Sequence, residues 1–198
     1  MKMRWLSMFA MMMVVTSVAM AQEETLISGT LESGGFGGPV VKFSQVKNEF
    51  AVFVGGYGGW LINHSLLIGG GGYGLVNDIE VKEIVADQKT YLNLGYGGFM
   101  LEYFTSPQKL FHFSFQTLIG AGGVSYRDRD GGQVYANGND DGFFVAEPAV
   151  NVVLNVTHGF RIGLGASYRY INGVDLPEYK GSDLSGATVH ASFMFGKF

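Results

Sequence analysis

Six side chains suited to acid–base or ion-pair chemistry, Glu102, His112, Glu147, Arg161, Arg169 and His190, stand in stretches that are otherwise apolar, aromatic or glycine-rich, and Lys42 and Gln116 share that setting. Held together, such groups can pass protons along a polar pathway, or they can neutralise one another as a plug. Buried charges must pair, so two clusters bridging an enclosed space close it, and the plug is the preferred reading. Catalysis would need a nucleophile, a base and an orienting group within hydrogen-bond reach. His64 and His158 fall in short turns, which leaves His190, with Ser167 or Ser192 as conceivable nucleophiles, for a lipid-modifying enzyme. The phase of His190 points inward and no G-x-S-x-G occurs, so no catalytic residue is assigned. Asp128-Arg129-Asp130 and Asn139-Asp140-Asp141, within 127–142, could offer oxygens to Ca²⁺ but lack EF-hand spacing. Asx–Gly turns explain the same letters, and neither a metal nor another cofactor is assigned.

The elements that must position these groups are strands. Strand-like runs occupy about 39–46, 50–61, 66–76, 91–104, 110–126, 143–155, 159–171 and 187–198. In the fifth run Phe111, Phe113, Phe115 and Ile119 alternate with His112, Ser114, Gln116 and Gly120. In the sixth, Phe144, Ala146, Val150 and Val152 oppose Glu147 and Asn151; in the seventh, Ile162, Leu164, Tyr168 and Tyr170 oppose Arg161, Ser167 and Arg169. Side chains on a strand alternate with period two, so each run has one apolar face and one small or polar face. Pairing Asn155 with Gly159 puts Glu147 opposite Ser167, Val150 opposite Leu164 and Phe144 opposite Tyr170. Pairing Phe104 with Leu110 puts Glu102 opposite His112, with Tyr103, Leu101 and Phe99 meeting Phe111, Phe113 and Phe115. Both registers match like with like. The second and third runs are too glycine-rich to orient, and Pro148 implies a bulge or a missing ladder bond.

The connections after the second, fourth and sixth runs are short, whereas those at 77–90, 127–142 and 172–186 are long, polar and acidic. That parity is the plan of a membrane barrel, although Lys47-Asn48-Glu49 is short where a long loop would fit. The chain of 198 residues has 31 Gly and 16 Phe, only 15% charged residues and no Cys, which excludes disorder, a disulfide scaffold and a Cys-based metal site. No basic block suggests nucleic acid as a partner. Residues 1–21, with Lys2 and Arg4, an apolar run and Ala19-Met20-Ala21, read as a cleaved secretory signal peptide. Residues 22–38 read as a flexible lead-in and 39–198 as the barrel domain.

Alternation alone does not say which face is outside. Three features place the apolar face against lipid: it carries the bulk, aromatics gather at both ends of the strands, and acid is concentrated in the long loops. The expected fold is therefore all-β, a closed antiparallel up-and-down eight-stranded transmembrane β-barrel. The eight-run plan with a signal peptide resembles the small outer-membrane barrels of the OmpA, OmpX and OmpW kind. The resemblance implies a Gram-negative outer-membrane location, periplasmic termini, long loops outside and outer-membrane lipid as a partner. It also implies a terminal aromatic, Phe198, read by the barrel-assembly machinery. Phe198 is out of phase with the outward series Val189, Ala191, Phe193 and Phe195, and a bulge near Gly196 would repair this. Function then reads as structural or interactive, with a porin-like shape but a plugged lumen. The rival is a secreted, soluble lipocalin-like barrel that binds a hydrophobic ligand.

Overall fold

The computed structural model describes residues 32–85, 88–128, 140–176 and 178–198. The signal-peptide reading at 1–21, most of the lead-in and the centre of the 127–142 loop lie outside the described residues. The strands are β1 (Ser33–Val46), β2 (Glu49–Ile62), β3 (Leu66–Leu75), β4 (Glu80–Val85), β5 (Gln88–Phe104), β6 (Phe111–Arg127), β7 (Asp140–Thr157), β8 (Phe160–Asn172) and β9 (Gly186–Lys197), with the short helix α1 (Gly181–Leu184) before β9. The sheet order β3-β2-β1-β9-β8-β7-β6-β5-β4 is closed by an additional β3–β5 pairing. Every strand pair is antiparallel, so eight strands form a closed up-and-down barrel, and β4 is an extra strand on the upper part of β5.

Two expectations about boundaries need correction. The first strand begins at Ser33, because Ser33 to Gly38 pair with Ile62 to Tyr57, so the end of the lead-in is barrel wall. The connection 77–90 is partly strand, because β4 folds back on β5 beyond the barrel rim. The short first connection is a two-residue hairpin: Lys47 (φ 48°) and Asn48 (φ 67°) are both left-handed, the geometry that matches the twist of the flanking strands.

Both hairpin registers also shift, by an even number of residues. Phe104 pairs with Ser114, so Glu102 lies opposite Gln116, and Tyr103 and Phe99 meet Phe115 and Ile119. The cause is stagger: Phe111 to Phe113 extend past β5 and pair with Leu154 to Val152 of β7, as tilted barrel strands require. Asn155 pairs with Arg161, Val150 with Ala166 and Phe144 with Asn172, because the turn is His158-Gly159 and a register shift lies between Asn155 and Thr157. Even displacements leave every side chain on its expected face. At Pro148 the misfit takes the form of missing ladder links, since β7–β8 pairing jumps from Ala146–Tyr170 to Ala149–Ser167 with no change of register. No bulge occurs near Gly196: the β1–β9 register is the same from Gly35–Lys197 to Ser44–Thr188.

The distribution of side chains is that of a membrane barrel. Phe99, Leu101, Phe113, Phe115, Ile119, Val150, Val152 and Leu164 are exposed on the outside. Outward rings gather towards the short-turn end (Trp60, Tyr103, Phe111, Phe113, Phe195) and the long-loop end (Phe43, Phe50, Phe144, Tyr168, Tyr170). Phe160, beside the short turn before β8, is half-buried and stacks on Phe195 at 4.7 Å. The glycines of the wall permit close strand contact: a Cβ on inward-facing Gly98 would fall 2.6 Å from the Cα of Gly120, and the reverse holds.

Candidate functional site: the filled lumen

Cross-strand neighbours set the polar groups in rows. One row runs Lys42, His190, Gly165, Asn151 and Ser114 across β1, β9, β8, β7 and β6. The next runs Ser44, Thr188, Ser167, Ala149, Gln116 and Glu102. Alternation along six differently paired strands therefore delivers them all to the lumen.

The ion pair at the centre is Lys42 with Glu147. The Lys42 ammonium donates to both carboxylate oxygens, at 2.9 and 2.8 Å. Tyr96 Oη donates to Glu147 Oε2 at 2.8 Å and Ser167 Oγ to Oε1 at 2.6 Å. The Tyr73 ring lies 3.4 Å from Lys42 Nζ, so the cation is held against an aromatic face. Both partners are buried, and a carboxylate taken out of water is tolerated here because it accepts from three donors.

Below it, Glu102 accepts from Ser114 Oγ at 2.5 Å and from Asn151 Nδ2 at 3.3 Å. Asn151 Oδ1 accepts from His190 Nε2 at 2.7 Å. Gly165 is required beside this contact: a Cβ there would fall 1.9 Å from Asn151 Oδ1 and 2.7 Å from His190 Nε2. Arg169, fully buried, donates through Nε to the Leu184 carbonyl at 2.9 Å and through Nη2 to the Gln45 carbonyl at 3.4 Å, with its guanidinium 4.4 Å from the Phe53 ring. His112 Nδ1 donates to the Lys109 carbonyl at 3.2 Å. Arg161 lies 4.0 Å from the ring of Phe198, which turns inward against Phe36.

All six residues singled out from the sequence are buried, but not in the groupings anticipated. Glu147 accepts from Ser167, its expected neighbour, but its counter-charge is Lys42, and Glu102 reaches His190 through Asn151 rather than contacting His112. Neither conceivable Ser–His pair forms. His190 is engaged by Asn151, Ser167 by Glu147, and Ser192 Oγ is placed 3.5 Å from the Gly163 carbonyl. Among the described residues no group of three His, Cys, Asp or Glu could hold a metal ion.

Sequence reasoning missed two parts of the interior. The lumen is not lined by small and polar side chains alone: Phe53, Tyr57, Leu61, Leu67, Tyr73, Leu94, Tyr96, Met100 and Phe104, on β2, β3 and β5, form an apolar wall opposite the polar rows. The long connections are not wholly polar either. Ile79, Val174, Leu176, Tyr179 and Leu184 are buried and pack over the long-loop end with Val46, Leu92, Tyr126 and Ile171. The Lys47 backbone N–H is bound by the Asp183 carbonyl at 2.8 Å, and Ser185 Oγ accepts from the Ile171 N–H at 2.9 Å, which ties this cap to the strands. The Tyr179 phenol within it is pushed up to about 12 by burial and by the nearby carboxylates of Glu49, Glu178 and Asp183. The apolar letters were present in 172–186, but outnumbered by Asp, Glu and Gly they carry no periodic signal.

No protein-family model matches the chain, and no curated protein matches it. Among solved structures it is similar to Neisserial surface protein A (NspA), at 13% identity and a TM-score of 0.58 over 86% of this chain and 100% of that one. Weaker likenesses are to Ail, the attachment invasion locus protein of Yersinia pestis (11% identity, TM-score 0.45, 84% of this chain and 100% of that one), and to the outer membrane protein OprG from Pseudomonas aeruginosa (11%, 0.43, 83% and 93%). The chain has the fold of a small eight-stranded outer-membrane barrel, as NspA does.

Proposed function

We propose that this chain is a structural or interaction protein of a Gram-negative outer membrane: a barrel sealed along its axis, with outer-membrane lipid around it and its long acidic connections facing the exterior. The observation that carries the reading is the Lys42–Glu147 pair with Tyr73 and Tyr96 pressed against it, below an apolar cap that includes Leu176 and Leu184. An ion-conducting path through an eight-stranded barrel would have to displace both. The kinship in fold with a protein named as a surface protein supports the location. In the rival soluble carrier the bulky apolar face would line the cavity, whereas Val150, Val152 and Leu164 face outward. Phe198 remains the residue through which the barrel-assembly machinery would read the chain, and its inward ring would then be engaged before the barrel closes. The test is an epitope tag placed within 127–142. Labelling of intact cells, with detergent needed to extract the protein and no conductance steps in planar bilayers, is expected. A tag reached only after the outer membrane is breached, or recovery as a soluble protein, overturns the reading.

A further inference from the structure

At the long-loop end β1 and β9 part company. Their ladder stops at Ser44–Thr188, above which β1 continues into the Lys47-Asn48 turn, while the chain leading into β9 forms α1. The parting leaves a cavity of about 650 Å³. Its lower part is lined by Phe43, Phe50, Ala166, Ala187 and Val189, and its upper part by Lys47, Asn48, Ser182 and Asp183. The hydrogen bond from the Lys47 N–H to the Asp183 carbonyl, at 2.8 Å, holds α1 over it.

The lower part is a trough of short side chains between rings on the outer face. Val189 stands between Phe43 and Ala166 on neighbouring strands, and Ala187 stands beside Tyr168. Phe43 and Tyr168 are therefore two strands apart, roughly 10 Å, which leaves space for one hydrocarbon chain over the alanines. Phe43, Tyr168 and Val189 are all exposed, and Phe43 is braced by Phe50, stacked with ring centroids 6.2 Å apart.

The upper part is polar and mixed in sign. Lys47 Nζ donates to the carbonyl and the carboxylate of Glu178, and Asp183 Oδ2 accepts from the Lys180 N–H. Among the described residues the exposed side chains of Asn48 and Ser182 make no hydrogen bond. An anionic head would meet the carboxylates of Asp183 and Glu178, and a cationic head the Lys47 ammonium. A neutral polyol suits all of these groups, because each of its hydroxyls both donates and accepts. A polar rim above an apolar trough calls for a ligand of the same two-part build. We propose that this cavity binds a glycolipid, with an uncharged sugar head among Asn48, Ser182 and Asp183 and one hydrocarbon chain laid along Ala187, Val189 and Ala166. It rests on an outer wall in contact with lipid, and adds to it one lipid held at a fixed place.

The test uses the full chain in phosphatidylcholine nanodiscs, with ¹⁵N-labelled Asn side chains and ¹³C-labelled Ala methyls followed by NMR. Rising fractions of digalactosyl diacylglycerol are expected to give saturable shifts at Asn48 and Ala187. Ala121, exposed on β6 away from the cavity, is expected to show none. Phosphatidylglycerol, which brings a charge, and free galactose, which lacks the chain, are each expected to leave Asn48 and Ala187 unmoved. Ala187→Trp fills the trough from the outer face and should abolish the Asn48 response. Asn48→Gly, which keeps the left-handed turn, combined with Ser182→Ala should raise the half-saturating fraction about tenfold, the loss of one to two hydrogen bonds. Heat-dependent gel mobility confirms that each variant is folded, and either variant decides if the other is not. No saturable shift in inserted protein overturns the proposal. So do equal shifts with phosphatidylglycerol or free galactose, a response kept in folded Ala187→Trp, or an unchanged half-saturation in the double variant. A chain that stays out of the nanodisc overturns the placement in lipid, and this site with it.

Discussion

The Lys42–Glu147 pair allows the lumen to be tested by subtraction. Glu147→Gln keeps the size of the side chain and an oxygen to accept from Tyr96 and Ser167, but it leaves the Lys42 ammonium, stacked on Tyr73, without its counter-charge. Removing one partner of a buried pair costs about 3–5 kcal/mol, because the remaining charge stays desolvated. Lys42→Met should cost a similar amount, since it strands the carboxylate. The double variant Lys42→Met/Glu147→Gln removes both charges and should recover most of the loss, because an apolar replacement of a buried pair is often neutral. The assay is equilibrium urea unfolding in liposomes, read by the gel-mobility difference between folded and unfolded barrel. Single variants that lose less than about 1 kcal/mol, the range of an exposed ion pair, would refute the reasoning. So would a double variant whose loss equals the sum of the singles, because that would mean the two groups act independently.

Other consequences are open to measurement. Leu164 is 61% exposed on the outer face, so Leu164→Arg should cost about 2–4 kcal/mol in a bilayer near its midplane, while a soluble carrier would accept it at no loss. Gly165→Ala pushes a methyl into the Asn151–His190 contact and should lower the urea midpoint, whereas Gly74→Ala, where a Cβ meets nothing within 4 Å, should leave it unchanged. Tyr179 has a folded value raised to about 12 against about 10 unfolded. Its contribution to stability is therefore complete below pH 10 and is lost as pH rises towards 12. Tyr179→Phe should flatten that alkaline loss and remove one late-titrating tyrosinate from the ultraviolet titration.

What the letters disclosed and what they hid follow from the same physics. Period-two alternation is local, so the inward set on β6 to β8 is legible from Phe113 to Tyr170 without knowing which residues are neighbours. Register is not local. The two-residue and four-residue displacements come from the turn at His158-Gly159 and from the stagger of Phe111 to Phe113 onto β7, and both preserve the face while changing the partner. That is why Glu102 and Glu147 are rightly read as inward while their companions, Asn151 and Lys42, are not deduced. The glycine pairs of β2 and β3 erase the alternation altogether, which hid Tyr57 and Tyr73. The cap residues Val174, Leu176 and Leu184 are buried by a fold-back of irregular chain, which leaves no period to detect.

The apolar wall and the cap together give this barrel a packed core of its own. Its cohesion is thus divided between two solvents: rings such as Tyr96 and Phe53 are satisfied from within, and the outer coat of Phe113 and Leu164 asks only for some amphiphile. Exchanging bilayer for a mild surfactant alters one of these contributions and leaves the other intact, so the molecule should survive extraction as a small globular protein wearing a replaceable coat.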